Sequence, residues 1–278
     1  MITRTLSGLV TLLLFSTVFA GSGEVHISGG RAPAMGTSSV ATIDFWSVCN
    51  NQAGNAWATS FSAGFSFENQ FLIKELCYKT LGMIIPFRPV TLGIVIMHSG
   101  AGGYNEIKAG ISLSRKFGKR FSAGVQFDYL RFQLSDGYGS RNLISCEAGF
   151  LYQVNKQIII GVHFLNPIPV KLTFEPKEYL PTVIRIGLSY HFSESLEVLI
   201  EAEKDLTNKP LIKAGMEYRC AKPVYARIGI CTNPTLFTFG FGLEFGGFQM
   251  DFASGYHPVL GFTPAGSITY RFIRKSKK

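Results

Sequence analysis

The stretch Leu236-Phe237-Thr238-Phe239-Gly240-Phe241-Gly242-Leu243-Glu244-Phe245 places a large apolar side chain at every second position. Successive residues of a β-strand point to opposite faces. As a strand, this segment presents Phe237, Phe239, Phe241, Leu243 and Phe245 on one side, with Thr238, Gly240, Gly242 and Glu244 on the other. The same division recurs along the chain. Phe121, Ala123, Val125, Phe127 and Tyr129 alternate with Ser122, Gly124, Gln126 and Asp128. Ile184, Ile186, Leu188, Tyr190 and Phe192 alternate with Arg185, Gly187, Ser189 and His191. Leu196, Val198, Ile200 and Ala202 alternate with Glu197, Glu201, Glu203 and Asp205, Leu199 aside. Strands of a soluble sandwich alternate too. Here one face is bulky and aromatic while the other carries Gly, Ser and charges, the pattern of lipid outside and polar lumen inside. The fold class read from it is all-β, a transmembrane antiparallel barrel.

Composition agrees. The chain has 278 residues, 46% hydrophobic and only 16% charged, with 24 Phe and 30 Gly; soluble domains carry about 25% charged residues. Mean hydropathy is +0.20. A membrane helix needs about 18 to 20 apolar residues in a row. Beyond the N-terminus the longest runs, Leu81 to Phe87 and Val90 to Met97, are broken by Gly82, Pro86 and Gly93.

Arg4, the apolar run Leu6 to Phe19 and the small-residue exit at Ala20 form a secretory signal over 1–20. The net charge of +9 is spread singly along strands, apart from a basic tail over 274–278 containing Arg274, Lys275, Lys277 and Lys278. An exported chain meets little nucleic acid, so nucleic acid is excluded as a partner and anionic lipid headgroups are expected instead. Five cysteines with no CxxC pair indicate neither a zinc site nor a complete disulfide framework, so free thiols and no cofactor are expected.

About fourteen strands of 9 to 11 residues fit within 57–273, each long enough to cross a bilayer when tilted. Their connections alternate between tight turns, such as Phe87-Arg88-Pro89 and Gly246-Gly247, and longer loops. The longer set is Ser99 to Tyr104, Gln133 to Asn142, Asn166 to Pro181 and Gly255 to Ala265. The even strand count places both termini on the short-turn, periplasmic side. The last strand, Ser267 to Phe272, turns Ile268, Tyr270 and Phe272 outward.

Residues 21–56 show no sustained alternation. They contain Gly29-Gly30-Arg31-Ala32-Pro33-Ala34-Met35-Gly36, then Val40-Ala41, then Asn50-Asn51-Gln52-Ala53-Gly54. This order resembles the start of the PorV/PorQ-like outer-membrane proteins of Bacteroidetes, with Gln52 in place of the usual Pro. The resemblance rests on Gly30, Arg31, Met35, Gly36, Asn51, Ala53 and Gly54, and it implies a fold similar to FadL. In that fold a fourteen-stranded barrel carries an N-terminal segment in its lumen, so 21–56 is expected to be a plug. The resemblance implies two functions. One is an accessory barrel of type IX secretion, docking a translocon or exported cargo through its long loops. The other is a FadL-like channel for hydrophobic small molecules.

Parity turns Arg185, Glu201, Glu203, Lys213 and Glu217 inward, followed by Arg219, Arg227, Glu244, Asp251 and Arg271. Lone charges in a low-dielectric interior are costly, so these are expected to pair across strands, as a structural ladder or as the lining of a substrate path. Ser189, His191 and Glu197 or Glu201 share the inner face and compose a conceivable Ser/His/acid set. A barrel hydrolase has to meet acyl chains from outside, so the chain reads as a non-enzyme. His26, His98, His163 and His257 have no metal-ligand spacing and are expected in loops or lumen.

Overall fold

A computed structural model describes residues 25–134, 139–173, 178–206 and 209–272. The expected signal segment 1–20 and the basic tail lie outside the described residues. Fourteen antiparallel strands close the barrel. In chain order they are β1 (Ser62–Asn69), β2 (Cys77–Phe87), β3 (Val90–Ala101), β4 (Tyr104–Phe117), β5 (Phe121–Leu134), β6 (Gly139–Gln153) and β7 (Ile158–Leu165). After a small hairpin of β8 (Lys171–Thr173) and β9 (Glu178–Tyr179) come β10 (Val183–His191), β11 (Leu196–Asp205), β12 (Leu211–Ala221) and β13 (Val224–Cys231). The barrel ends with β14 (Leu236–Phe245), β15 (Phe248–His257) and β16 (Gly261–Arg271). Closure is through β1, where Ser62 lies opposite both Arg271 of β16 and Ile84 of β2. A closed ring satisfies every barrel strand on both sides, as hydrocarbon requires of backbone polar groups. Among the described residues no helix is long and apolar enough to cross a membrane.

The two parities separate as read. On β5, Phe127 is 65% exposed while its neighbour Gln126 is 1% exposed. On β10, Ile184 and Ile186 face out, and Arg185 and Ser189 are buried. All five apolar residues of the alternating set on β14 are exposed.

Strand lengths depart from the expected 9 to 11 residues: they run from 8 in β7 to 15 in β6. At about 3.4 Å per residue, β6 is roughly 50 Å long. Its wall therefore stands taller than β7 and β10, and the long loops shrink correspondingly. Ser99 to Tyr104 becomes a turn at Gly102-Gly103 between β3 and β4, and Gly255 to Ala265 contracts to 258–260. Strands also occupy most of Gln133 to Asn142. Apolar alternation fades where strands leave the lipid, but hydrogen bonding to a neighbour continues past that point, so hydropathy alone ends the strands too early.

Two longer excursions remain on that rim. One is 70–76 between β1 and β2, which carries two short 3-10 helices. The other is 166–182, bearing the β8–β9 hairpin. It fills the step where β7 stops opposite Glu147 while β6 continues. There Leu180 packs against Leu130 and Phe132 of the tall wall, with Val170 and Leu172 alongside.

The C-terminal strand ends at the short-turn rim, where the Phe272 N–H donates to Phe61 O at 2.9 Å. The described chain starts elsewhere. His26 stacks on Tyr78, with ring centroids 4.0 Å apart, at the start of β2 near the opposite rim. The expectation of both termini at one rim concerns residues outside the described ones; from Val25 the described chain runs up the lumen.

Candidate functional site

Residues 25–58 run inside the ring and touch strands on every side. Sequence parity alone could have located this contact, through one inward glycine after another. Ten strands each present a glycine whose missing Cβ makes room for the segment, among them Gly124, Gly161, Gly215 and Gly229. At Gly215 a Cβ would come within 2.5 Å of the Met35 Cβ, and at Gly124 within 2.7 Å of the Gln52 backbone. Met35, Ala53 and Asn51 are fully buried as a result.

The segment's own polar groups are matched by the wall. Ser39 N–H and Val40 N–H both donate to Glu201 Oε2, at 2.7 and 2.8 Å. Gly30 N–H donates to Ser267 Oγ at 2.9 Å. Gly36 adopts φ +67°, a left-handed conformation that suits glycine, and its N–H donates to Thr238 Oγ1 at 2.8 Å. Asn51 Nδ2 donates to Val40 O, tying the segment to itself. Gly54 sits against Ser47, where a side chain would clash with the short helix Ser47–Asn50.

Arg31 carries the ionic anchor. Its guanidinium reaches Glu197 at 2.7 Å, Glu217 at 2.9 Å and Asp44 at 3.1 Å. The three carboxylates outweigh the burial penalty and raise its pKa well above the ordinary arginine value. Glu217 is shared with Arg227, which also binds Asp251 at 2.7 Å. Lys213 bridges Glu203 at 2.6 Å and Glu201 at 3.3 Å.

The remaining inward charges behave differently. Among the described residues Arg185 meets no carboxylate: it donates to Asn50 O, Ser39 Oγ and His163 Nδ1, and its Nε finds no acceptor there. Arg219, Glu244 and Arg271 lie at the wet short-turn rim, where Arg219 bonds Lys222 O and Glu244 accepts from Tyr225 Oη. Parity gives a residue's face but not its depth, which is why these three stand outside the buried network.

Sequence reasoning passed over a second cluster, on β4 to β7. Lys108 pairs with Glu147 and, at 3.5 Å, with Asp128. Glu147 also receives Gln52 Nε2 at 2.7 Å and contacts His163 Nε2 at 3.0 Å. A guanidinium can only donate, so Arg185 makes His163 Nδ1 an acceptor and leaves the proton on Nε2, aimed at Glu147. The signal that could have found this cluster is again inward parity, applied to β4 and β6.

The conceivable Ser/His/acid set does not form a nucleophile. Ser189 Oγ donates to Glu197 Oε1 at 2.7 Å, with His191 Nδ1 farther away at 3.4 Å, and Glu197 is engaged by Arg31. Among the described residues there is also no cluster of His, Cys, Asp or Glu able to hold a metal, and all five cysteines are free.

Above the plug, beneath the 166–182 excursion, lies a cavity of about 520 Å³. Its upper wall is apolar, with Phe71, Leu76, Met97, Leu130, Phe132 and Leu180. Polar groups share the lining, with Glu106 opposite Phe132, Lys108 opposite Leu130, and Asp128, Glu147 and Arg185 beside them. His26 borders it, and burial together with the nearby Lys108 pushes its pKa down to about 3, so the ring is neutral. Cys49 borders it as well, with burial pushing the thiol up to about 12. The thiolate is the reactive form, so Cys49 should resist maleimide at pH 8 while exposed Cys220 reacts. Mass mapping of the labelled peptides checks this, and rapid labelling of Cys49 would mean the plug opens in solution.

No protein-family profile matches the sequence, and no curated protein does. Solved structures do match. The chain is similar to a Pseudomonas aeruginosa FadL homologue at TM-score 0.69 and 10% identity, covering 88% of this chain and 98% of that one. It is similar to the Ralstonia pickettii toluene transporter TbuX at TM-score 0.68 and 14% identity, covering 90% and 100%. The P. putida toluene transporter TodX matches at TM-score 0.68 and 11% identity, with the same coverage. None of these matches supports the narrower resemblance to PorV/PorQ-like proteins. At such identities what is shared is architecture: this chain has the fourteen-stranded barrel fold of the FadL-like proteins.

Proposed function

We propose that this protein is an outer-membrane channel that receives hydrophobic small molecules in its lumen and acts by binding and passage, without catalysis. The observation that carries the reading is the cavity: largely apolar walls inside a lipid-facing barrel, beside an N-terminal segment buried in the lumen. Concave, mostly apolar pockets with a few fixed polar groups are the usual form of small-molecule sites. The matched toluene transporters support the same class. A docking role in type IX secretion, through long loops to a translocon or cargo, draws on less, since two of those loops contract to the short turns 102–103 and 258–260.

The test is binding of toluene to the purified chain, read by native mass spectrometry and competition. Wild type should bind. Met97→Trp, which fills the cavity from β3, should weaken binding about tenfold while leaving the barrel folded. Absence of toluene binding, with unchanged hydrocarbon uptake in a deletion strain, would overturn the reading.

A further inference from the structure

The charge of this protein is segregated. The whole chain carries 27 Lys and Arg against 18 Asp and Glu. Inside the barrel the balance reverses. Among the described residues, nine carboxylates sit in the lumen with side chains less than one-fifth exposed, half of the chain's total. Five permanent cations accompany them: Arg31, Lys108, Arg185, Lys213 and Arg227. Low-dielectric walls focus such a field along the pore axis.

The cavity sits inside this negative interior. Two cations line it, Lys108 and Arg185, and Lys108 is already outnumbered by Asp128 and Glu147. Glu106 lines the same space, and it accepts a hydrogen bond from Tyr104 Oη at 3.1 Å. Among the described residues no cation lies within ion-pair distance of Glu106. Tyr78, Tyr104 and Phe132 also border the volume, Tyr78 with one ring face covered by His26, and aromatic rings attract cations. Neutral His26 adds no positive charge.

We propose that the cavity selects hydrophobic molecules whose polar head is a protonated amine over carboxylates of the same size. This rests on the channel reading and names its substrate class. The apolar wall takes the body of the ligand, and its ammonium group takes the place beside Glu106. One group pulls the other way: the buried Arg185 Nε–H has no acceptor, and a carboxylate reaching it would invert the preference.

Three probes of similar size separate the cases: 2-phenylethylamine, 2-phenylethanol and 3-phenylpropanoate, each titrated into the full chain in detergent by calorimetry at pH 7. The amine should bind at least tenfold tighter than the acid, with the alcohol between them. Glu106→Gln should bring the amine to within about threefold of the alcohol and leave the alcohol unchanged. Met97→Trp should weaken all three, which excludes uptake by the micelle. Equal affinities, or tighter binding of 3-phenylpropanoate, would overturn the charge selection while the channel reading stands. If none of the three binds while toluene does, the selection fails and the channel reading stands; if toluene does not bind either, both fail.

Discussion

Gly229→Val is expected to unseat the N-terminal segment without preventing the barrel from closing. Gly229 lies on β13 where the segment crosses, and an added side chain would overlap the Gly36 N–H and the Met35 carbonyl carbon. Both are backbone atoms in a turn, so neither can rotate away. The Gly36 bond to Thr238 Oγ1 and the Thr238 bond to Ala34 O, at 2.8 and 3.0 Å, are lost in the same movement. Overpacking costs typically 1–3 kcal/mol and each lost hydrogen bond about 1 kcal/mol, enough to shift the docked population by more than a hundredfold. The outward face of β13 is untouched, so the folded band on an unheated gel should persist. Trypsin reads the result, because Arg31 is the sole Lys or Arg between residues 21 and 73. Wild type should resist cleavage there for hours and the variant should be cut in minutes. Gly255→Ala is the control, since its Cβ would meet nothing closer than 3.8 Å. Equal resistance of wild type and Gly229→Val would contradict the close packing of the segment.

Arg31→Leu attacks the same docking through charge. Removing the guanidinium leaves Glu197, Glu217 and Asp44 facing one another, with Arg227 still holding Glu217. Breaking a buried ion pair from one side costs about 3–5 kcal/mol, and the retained Arg227 argues for the lower end. The unfolding midpoint should fall by several degrees, and chymotrypsin should gain access to Phe45 and Trp46, both now buried. Glu197→Gln added to Arg31→Leu should restore part of the loss, because one stranded charge disappears. A merely steric role for Arg31 predicts no such rescue, and that outcome would refute the ionic anchor.

Much of this architecture is written locally. Alternation in Phe121 to Leu130 or Leu236 to Phe245 identifies lipid and lumen faces without knowledge of any partner strand, because side-chain direction is a property of the extended backbone. The irregular stretch around Arg31 and Asn51 likewise announces itself by lacking that period. Other features escaped for one shared reason. Glu244 and Arg271 share parity with buried charges, yet their depth puts them in water. Lys108, Glu147 and His163 meet because β4 to β7 align in a particular register, and Gln52 arrives among them from another part of the chain. The rim at Ser99 to Tyr104 read as a loop because hydropathy weakens there, while the ladder continues to Ala101.

By itself, then, the order of residues determined that a barrel forms, which side chains meet lipid, and that an N-terminal stretch does not join the wall. Only the closed tertiary structure decided that Arg31 grips carboxylates as far as 186 positions away, that inward glycines make room for a backbone, and that a 520 Å³ cavity survives above it. Periodicity is an interaction of each residue with its immediate neighbours. Pairing, depth and empty volume depend on strand register and ring closure, which no short window of sequence contains.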